Sequence, residues 1–293
     1  MPGAVPLKIP AEGTSMKKVG IVINQKKQGA VELAAKIRAW LGKRDLAVVD
    51  SMAQPVEQFV EDADFLISLG GDGTILSIVG HLRNRSVPVL GVNLGSLGFL
   101  TEVKQSEVFE ELTAYFQQPT IEDRLMLSCA AWSKTRQTER RFLALNDIVI
   151  SREGLARILR LDVFVSGEKL TSFRGDGVII ATPTGSTAYS LSANGAVVHP
   201  KLDVIVITPI CPHALSLRSI VIGADEKINV QVRTDDPAEK ALLTADGQEK
   251  IEIDDSYTVE VGRSNTPFKL IKSTKRSYLE TLRENFKLPD SEK

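Results

Sequence analysis

Cysteine is scarce: the 293-residue chain carries only Cys129 and Cys211, far apart and in no CxxC pair. That argues against a disulfide scaffold or a cysteine-bound zinc, and a reducing compartment, the cytoplasm, is the expected location. No apolar run approaches the roughly 18–20 residues that span a bilayer, so no membrane partner is expected. The start, MPGAVPLKIPAEGTS, has Pro and Gly where a signal peptide needs a continuous apolar core. Net charge is scarce too, with 36 Lys and Arg against 37 Asp and Glu, or −1 overall. Bulk-charge binding of nucleic acid depends on neutralising several phosphates at once, so no nucleic-acid partner is expected either. Three signatures are missing outright: the GxGxxG of nicotinamide dehydrogenases, the GxxxxGK[ST] of P-loop NTPases and the HExxH of zinc enzymes.

What is present is ordinary globular composition, 43% hydrophobic and 25% charged, in a length that suits about two domains of roughly 150 residues. Residues 1–17 read as a flexible extension, with Met16, directly before Lys17, Lys18 and the first apolar run, as an alternative start. From Lys18 to about Gln118, short apolar runs alternate with helix-period segments. Val19 to Ile23 and Phe65 to Leu69 are strand-like, whereas Leu33, Ile37 and Leu41 recur at helical spacing. This grammar predicts a parallel sheet flanked by helices, a Rossmann-like α/β domain with ligands at the carboxyl ends of its strands. After Pro119 the period falls to two, as in Leu161, Val163, Val165 and in Ile228, Val230, Val232, which predicts antiparallel β structure buried on one face. Asp246-Gly247 is a hairpin-turn candidate. One helix is expected to begin near Ser186, and another from Thr274 to Phe286 is expected to return to the first domain. The expected division is 18–120 plus about 271–293, and 121–270.

Three glycine-rich segments carry the chemistry. Gly70-Gly71-Asp72-Gly73-Thr74 follows an apolar strand and precedes a helix, where bare backbone and a helix N-terminus suit a bulky anion. A carboxylate among phosphate-binding glycines needs a reason: holding Mg²⁺, accepting a proton from an attacking hydroxyl, or simply capping the helix. The second segment, Gly91 to Leu100, includes Gly95, Gly98 and Phe99 and opens on the same sheet edge. The third, Arg174 to Ser190, places Thr184, Ser186 and Thr187 around Gly185 and offers hydroxyl donors to a diphosphate or ribose.

Taken in order, GGDGT at 70–74, LGSLGFLTE at 94–102, LND at 145–147, DG at 176–177, TPTGSTAYSLSANG at 182–195 and ITPICPHALSLRS at 207–219 resemble the NAD kinases. GGDG alone is shared with lipid kinases; TPTGSTAYSLSA is the specific signal. The resemblance implies an N-terminal α/β domain and a C-terminal β-rich, sandwich-like domain with the active site in the cleft between them. It implies transfer of the ATP γ-phosphate to the 2′-hydroxyl of the adenosine ribose of NAD. A divalent metal, Mg²⁺ or Mn²⁺, and a homodimer or homotetramer with NAD near the subunit interface are implied as well.

Position by position, the resemblance makes Asp72 the proton acceptor. Gly73, Asn146, Asp147, Arg157, Arg174, Asp176, Thr187, Ala188, Tyr189, Ser190, Leu191, Ser192 and Gln248 become substrate contacts. Gly70, Gly71, Thr74, Gly95, Gly98 and Phe99 form the loops expected to hold phosphates. Asp147 stands where many members have Glu, Asn194 replaces the first glycine of the usual Ala-Gly-Gly, and Ser77 replaces a residue that is often basic. Arg174 accompanies a preference for NAD over NADH. His81, His199 and His213 are expected to be structural, Ser186 is not in a hydrolase elbow, and Cys211 is expected to be a buried small hydrophobe. A lipid kinase of the GGDG superfamily and a non-catalytic NAD(P)-binding regulator are the alternative readings.

Overall fold

Phe65, Leu66, Ile67 and Leu69 are fully buried on both faces of one strand, the burial of a central strand in a helix-covered parallel sheet. The computed structural model describes residues 18–83, 85–133, 135–152, 158–214, 216–233 and 240–289. The expected extension at 1–17 and Arg157 lie outside these residues. One compact unit runs to Asp123 and resumes at Phe268; the other is Arg124–Pro267.

In the first unit, the strand Lys18–Ile23 lies between Ala47–Asp50 and Phe65–Gly70, parallel to both, and Phe65–Gly70 is in turn parallel to Val89–Asn93. The seven-stranded sheet continues from Val89–Asn93 to Phe268–Ile271 and then to Ile121–Arg124, with Val103–Lys104 also pairing with Val89–Asn93. Helix Ala30–Gly42 buries Leu33, Ile37 and Leu41, the stripe its spacing predicts. They pack in one cluster with Val19, Ile21, Phe65 and Ile67 of the sheet and Leu112 and Phe116 of helix Val108–Gln117.

The segment after Phe268–Ile271 is tied to this unit by acidic side chains. Lys272 pairs with Glu102, Ser273 and Thr274 donate to Glu111, and Arg276 makes two bonds of 2.8 and 2.9 Å to the Glu107 carboxylate. The last helix, Tyr278–Phe286, starts on a capping box in which Glu280 N–H donates to Ser277 Oγ and Glu280 accepts from Ser277 N–H.

The second unit consists of two six-stranded antiparallel sheets, β-rich as the change of period predicts. One sheet contributes Leu127, Leu161, Val163, Val230 and Val259 to the common core, and the other contributes Ile148, Ile150, Val178, Ile180 and Leu243. Leu161 and Val163 enter the core as the alternation predicts and Val165 packs partly buried against it, but Asp162, expected to face out, is also buried, under its bonds from Ser172 and Arg233. The hairpin at Asp246 is present: Asp246 and Gly247 have φ of 51° and 64°, and Ala245 pairs with Glu249.

Two local expectations fail. Instead of a full helix near Ser186 there is a 3₁₀ turn, Gly185–Thr187, followed by a four-residue helix, Tyr189–Ser192. Ser186 and Ser190 are bonded to Pro183, Val198 and Thr208, and Asn194 turns the chain with a φ of 65° just past the short helix. Cys211 is exposed with φ of 45°, at the bend after strand Val204–Ile210, and only Cys129 is a buried thiol.

Candidate functional site

Gly70 and Asn93 are register partners at the carboxyl ends of two adjacent parallel strands, the edge at which such sheets bind ligands. Gly70 leads through Gly71 into helix Asp72–Leu82, whose first residue is Asp72. No side-chain capping bond is made at this helix start. The Asp72 carboxylate turns instead to the loop that follows Asn93. Its Oδ2 accepts the Phe99 N–H at 2.8 Å. Its Oδ1 accepts the N–H groups of Leu100 and Thr101 at 3.2 and 3.0 Å and the Thr101 hydroxyl at 2.8 Å. Oδ1 is therefore saturated, while Oδ2 retains acceptor capacity.

The same loop explains one glycine. A Cβ on Gly98 would lie 2.1 Å from Asp72 Oδ1, so only glycine admits the carboxylate. By contrast, Cβ atoms on Gly71 and Gly73 would meet nothing within 4 Å, leaving open backbone at the helix start. Thr74 is buried with its hydroxyl over Gly70, and Phe99 places its ring 6.2 Å from that of Tyr278 and 6.0 Å from that of Phe286. Gly95 donates its N–H to Asn93 Oδ1 and lines a groove of about 910 Å³ with Lys36, Asn93, Lys104 and Ser106.

In the second unit the organising residue is Asp246. Its carboxylate accepts the consecutive N–H groups of Leu145, Asn146 and Asp147 at 2.8, 2.7 and 3.0 Å. The Thr182 hydroxyl donates to the Leu145 carbonyl and accepts the Gly185 N–H, and Thr182 N–H donates to the Asn146 carbonyl. Gly185 comes so close to this segment that a Cβ would lie 2.0 Å from Asn146 O. Burial, with the nearby Asp246 charge, pushes the Asp147 carboxyl up to about 7. Burial also raises Asp246, opposed by the three amides that donate to it.

The other sequence-assigned residues divide by exposure. Tyr189 is 46% exposed; Thr187, Ala188 and Leu191 are half-buried and Ser192 is exposed. Ser190 faces inward, its hydroxyl bonded to Thr208 Oγ1 and through that to Ser219 Oγ. Ser186 is fully buried and bonded to the Pro183 carbonyl, a structural hydroxyl. Arg174 is exposed, Asp176 is paired with Arg152 at 2.8 Å, and Gln248 reaches back to the Asp246 carbonyl. His199 Nδ1 accepts Lys201 N–H within a turn.

Residues 52–120 match the family model described as the ATP-NAD kinase N-terminal domain, and 145–273 match the ATP-NAD kinase C-terminal domain. The NAD kinase of Geotalea daltonii is 39% identical over 283 residues, covering 93% of this chain and 99% of the relative. The chain belongs to the NAD kinase family. The NAD kinase of Syntrophotalea carbinolica is likewise 39% identical, over 92% of this chain and 97% of its own length. Among solved structures, yeast NADH kinase complexed with NADH superposes with a TM-score of 0.84 at 26% identity, covering 95% of this chain and 89% of that one. An NAD kinase from Archaeoglobus fulgidus in complex with ATP gives 0.77 at 29% identity, covering 92% and 98%. As an NAD kinase, the protein is a phosphotransferase with the α/β and β-rich architecture of these relatives.

Three residues of this NAD kinase were not singled out by sequence: Asn93 and Thr101 around Asp72 in the first unit, and Asp246 as the anchor of Leu145–Asp147 in the second. Thr101 stands inside LGSLGFLTE next to residues that were assigned, and Asp246 was read only as a turn former. Among the described residues, no group of three His, Cys, Asp or Glu is gathered as a metal site, and no helix is long and apolar enough to cross a membrane.

Proposed function

We propose that Asp72 is the general base of the NAD kinase reaction. ATP and NAD are the substrates and NADP and ADP the products. The 2′-oxygen of the adenosine ribose forms its bond to the γ-phosphorus while the bond from that phosphorus to the β,γ-bridging oxygen breaks. The hydroxyl proton passes to Asp72 Oδ2. One observation carries this reading: Asp72 is a carboxylate at the ligand-binding edge of a parallel sheet, held rigidly through one oxygen and only singly engaged at the other.

The assignments around it are ours. The donor phosphates lie over the open backbone at Gly71 and Gly73, next to Gly70 at the strand end, favoured by the N-terminus of the eleven-residue helix, with Gly95 and its lysine-lined groove alongside. Gly98, Phe99 and Thr74 act by holding this loop pair together. Asn146, Asp147, Asp176, Thr187, Ala188, Tyr189, Leu191, Ser192, Arg157, Arg174 and Gln248 bind NAD, and Ser190 supports the turn from inside. Arg174 favours NAD over NADH; equal kcat/KM for the two would contradict that role.

The described residues form no carboxylate cage for a metal, and the donor-filled Oδ1 of Asp72 is unsuited to direct ligation. This fits a Mg²⁺ or Mn²⁺ that arrives on the ATP phosphates and keeps most of its water. Bound there, it neutralises charge on the transferring group. A homodimer or homotetramer, with NAD near the subunit interface, and a cytoplasmic location complete the proposal. Sedimentation and fractionation test these.

A positioned base supplies about 10²–10⁴-fold, so Asp72→Asn is expected to lower kcat for NADP formation at least ~100-fold while NAD still binds. A folded, fast variant overturns the assignment. NAD(P) binding by the wild-type protein without turnover would favour the regulator.

A further inference from the structure

We propose that Thr101, oriented by Asn93, is a positioning residue for Asp72 and keeps its carboxylate correctly aimed. This rests on the assignment of Asp72 as base. Thr101 is fully buried and Asn93 is 6% exposed, so neither is placed to exchange its partners with water. Asn93 Oδ1 accepts the Gly95 N–H, which fixes the amide and turns Nδ2 toward Thr101. Nδ2 then donates to Thr101 Oγ1 at 2.8 Å, and the threonine hydroxyl, its acceptor side occupied, has its one proton left for Asp72 Oδ1 at 2.8 Å. The chain of donors runs in one direction and ends on the anion. Each bond polarises the next, and a buried chain of this kind is strengthened by the low dielectric around it.

The geometry also divides the carboxylate between two tasks. Oδ1, with the Thr101 hydroxyl and the Leu100 and Thr101 amides, is the anchor. Oδ2, with the Phe99 amide alone, receives the ribose proton. Without the Thr101 hydroxyl, the carboxylate loses its shortest Oδ1 bond and Asn93 Nδ2 loses its acceptor. Held then by backbone amides alone, the carboxylate is less tightly fixed about its last torsion.

The test uses the full chain and follows NADP formation from NAD and Mg-ATP, with Tm recorded for every variant. Thr101→Val keeps the shape and deletes the hydroxyl. Its kcat is expected to fall about tenfold, the worth of one hydrogen bond to a charged group, with KM for NAD changed less than about twofold. Thr101→Ser, which restores the hydroxyl, is expected to recover most of kcat. Should the valine variant fail to fold, Asn93→Asp supplies the second route: it still accepts from Gly95 but can draw the threonine proton away from Asp72, giving the same loss of kcat with KM for NAD little changed. Wild-type kcat in Thr101→Val or in Asn93→Asp, or equal losses in the Val and Ser variants, would overturn the positioning role. Asp72→Asn is measured beside them; an active Asp72→Asn removes the base reading itself, whereas an inactive one with a normal Thr101→Val removes only the role of Thr101.

Discussion

Gly98 and Asp72, 26 residues apart in the chain, occupy one another's space: the position of a Gly98 Cβ is 2.1 Å from Asp72 Oδ1. Gly98→Ala is therefore expected to push the carboxylate off its amide donors. A misplacement of about 1 Å in a reacting group costs on the order of 100-fold in rate. Steady-state kinetics should show kcat reduced to nearly the level of Asp72→Asn, with far-UV circular dichroism unchanged.

Gly185 stands in the same relation to the Asn146 carbonyl, but here the obstacle is main chain that cannot rotate away. Gly185→Ala is expected to displace the Leu145–Asp147 segment, destabilise the second unit by ~1–3 kcal/mol as overpacking does, and raise KM for NAD. Differential scanning calorimetry and a KM measurement with saturating ATP check this.

The Asp147 carboxyl, raised from 3.8 to about 7, makes stability depend on pH in a defined direction. The folded chain holds a proton there that the unfolded chain gives up above about 4. Its favourable contribution is complete below that point and is lost as pH rises through about 7. Asp147→Asn imitates the protonated form, so its Tm is expected to exceed wild type by a few degrees at about pH 8, the effect of ~1 kcal/mol in a chain this size, and to match it at about pH 5.

Glu107 shows the opposite sign. The Arg276 guanidinium holds its carboxyl at about 2, so the pair contributes above 4.5 and the contribution is lost as pH falls through about 2. Arg276→Ala is expected to cost ~2 kcal/mol at neutral pH, as hydrogen bonds to a charged group do, and the Tm difference from wild type should shrink in acid. Because the following helix packs Tyr278 and Phe286 against Phe99, kcat is expected to fall as well.

Periodicity made much of the fold legible. The stripe Leu33, Ile37, Leu41 and the alternation at Leu161, Val163 are direct projections of which face is buried. The Asp246-Gly247 turn was legible because a positive φ at two successive positions restricts residue choice. Side-chain anchoring was not. Asp246 looks in sequence like any turn aspartate, and its hold on the Leu145–Asp147 amides spans about a hundred residues. Ser186 and Ser190 resemble ligand hydroxyls but are buried supports, since TGSTAYS encodes the same small polar side chains whether they point in or out. Likewise Asp72 announced itself as chemistry, whereas Thr101 and Asn93, which hold it, carry no periodic or compositional mark.

The strand Phe268–Ile271 lies between Val89–Asn93 and Ile121–Arg124, so the first unit's sheet is joined by residues made after the whole second unit. On the ribosome, the strands before Asp123 must wait for all of Arg124–Pro267 to be synthesised, on the order of ten seconds at ~5–20 residues per second. During that interval Val92 and Asn93, which lead into the loop that grips Asp72, can already pair with Val103–Lys104, whereas Val89 and Leu90 lack the Leu270 and Ile271 partners of the finished sheet. The second unit, continuous in sequence, can complete its sandwich first. A nascent chain can thus carry a finished second unit before the first unit's sheet is joined through Phe268–Ile271.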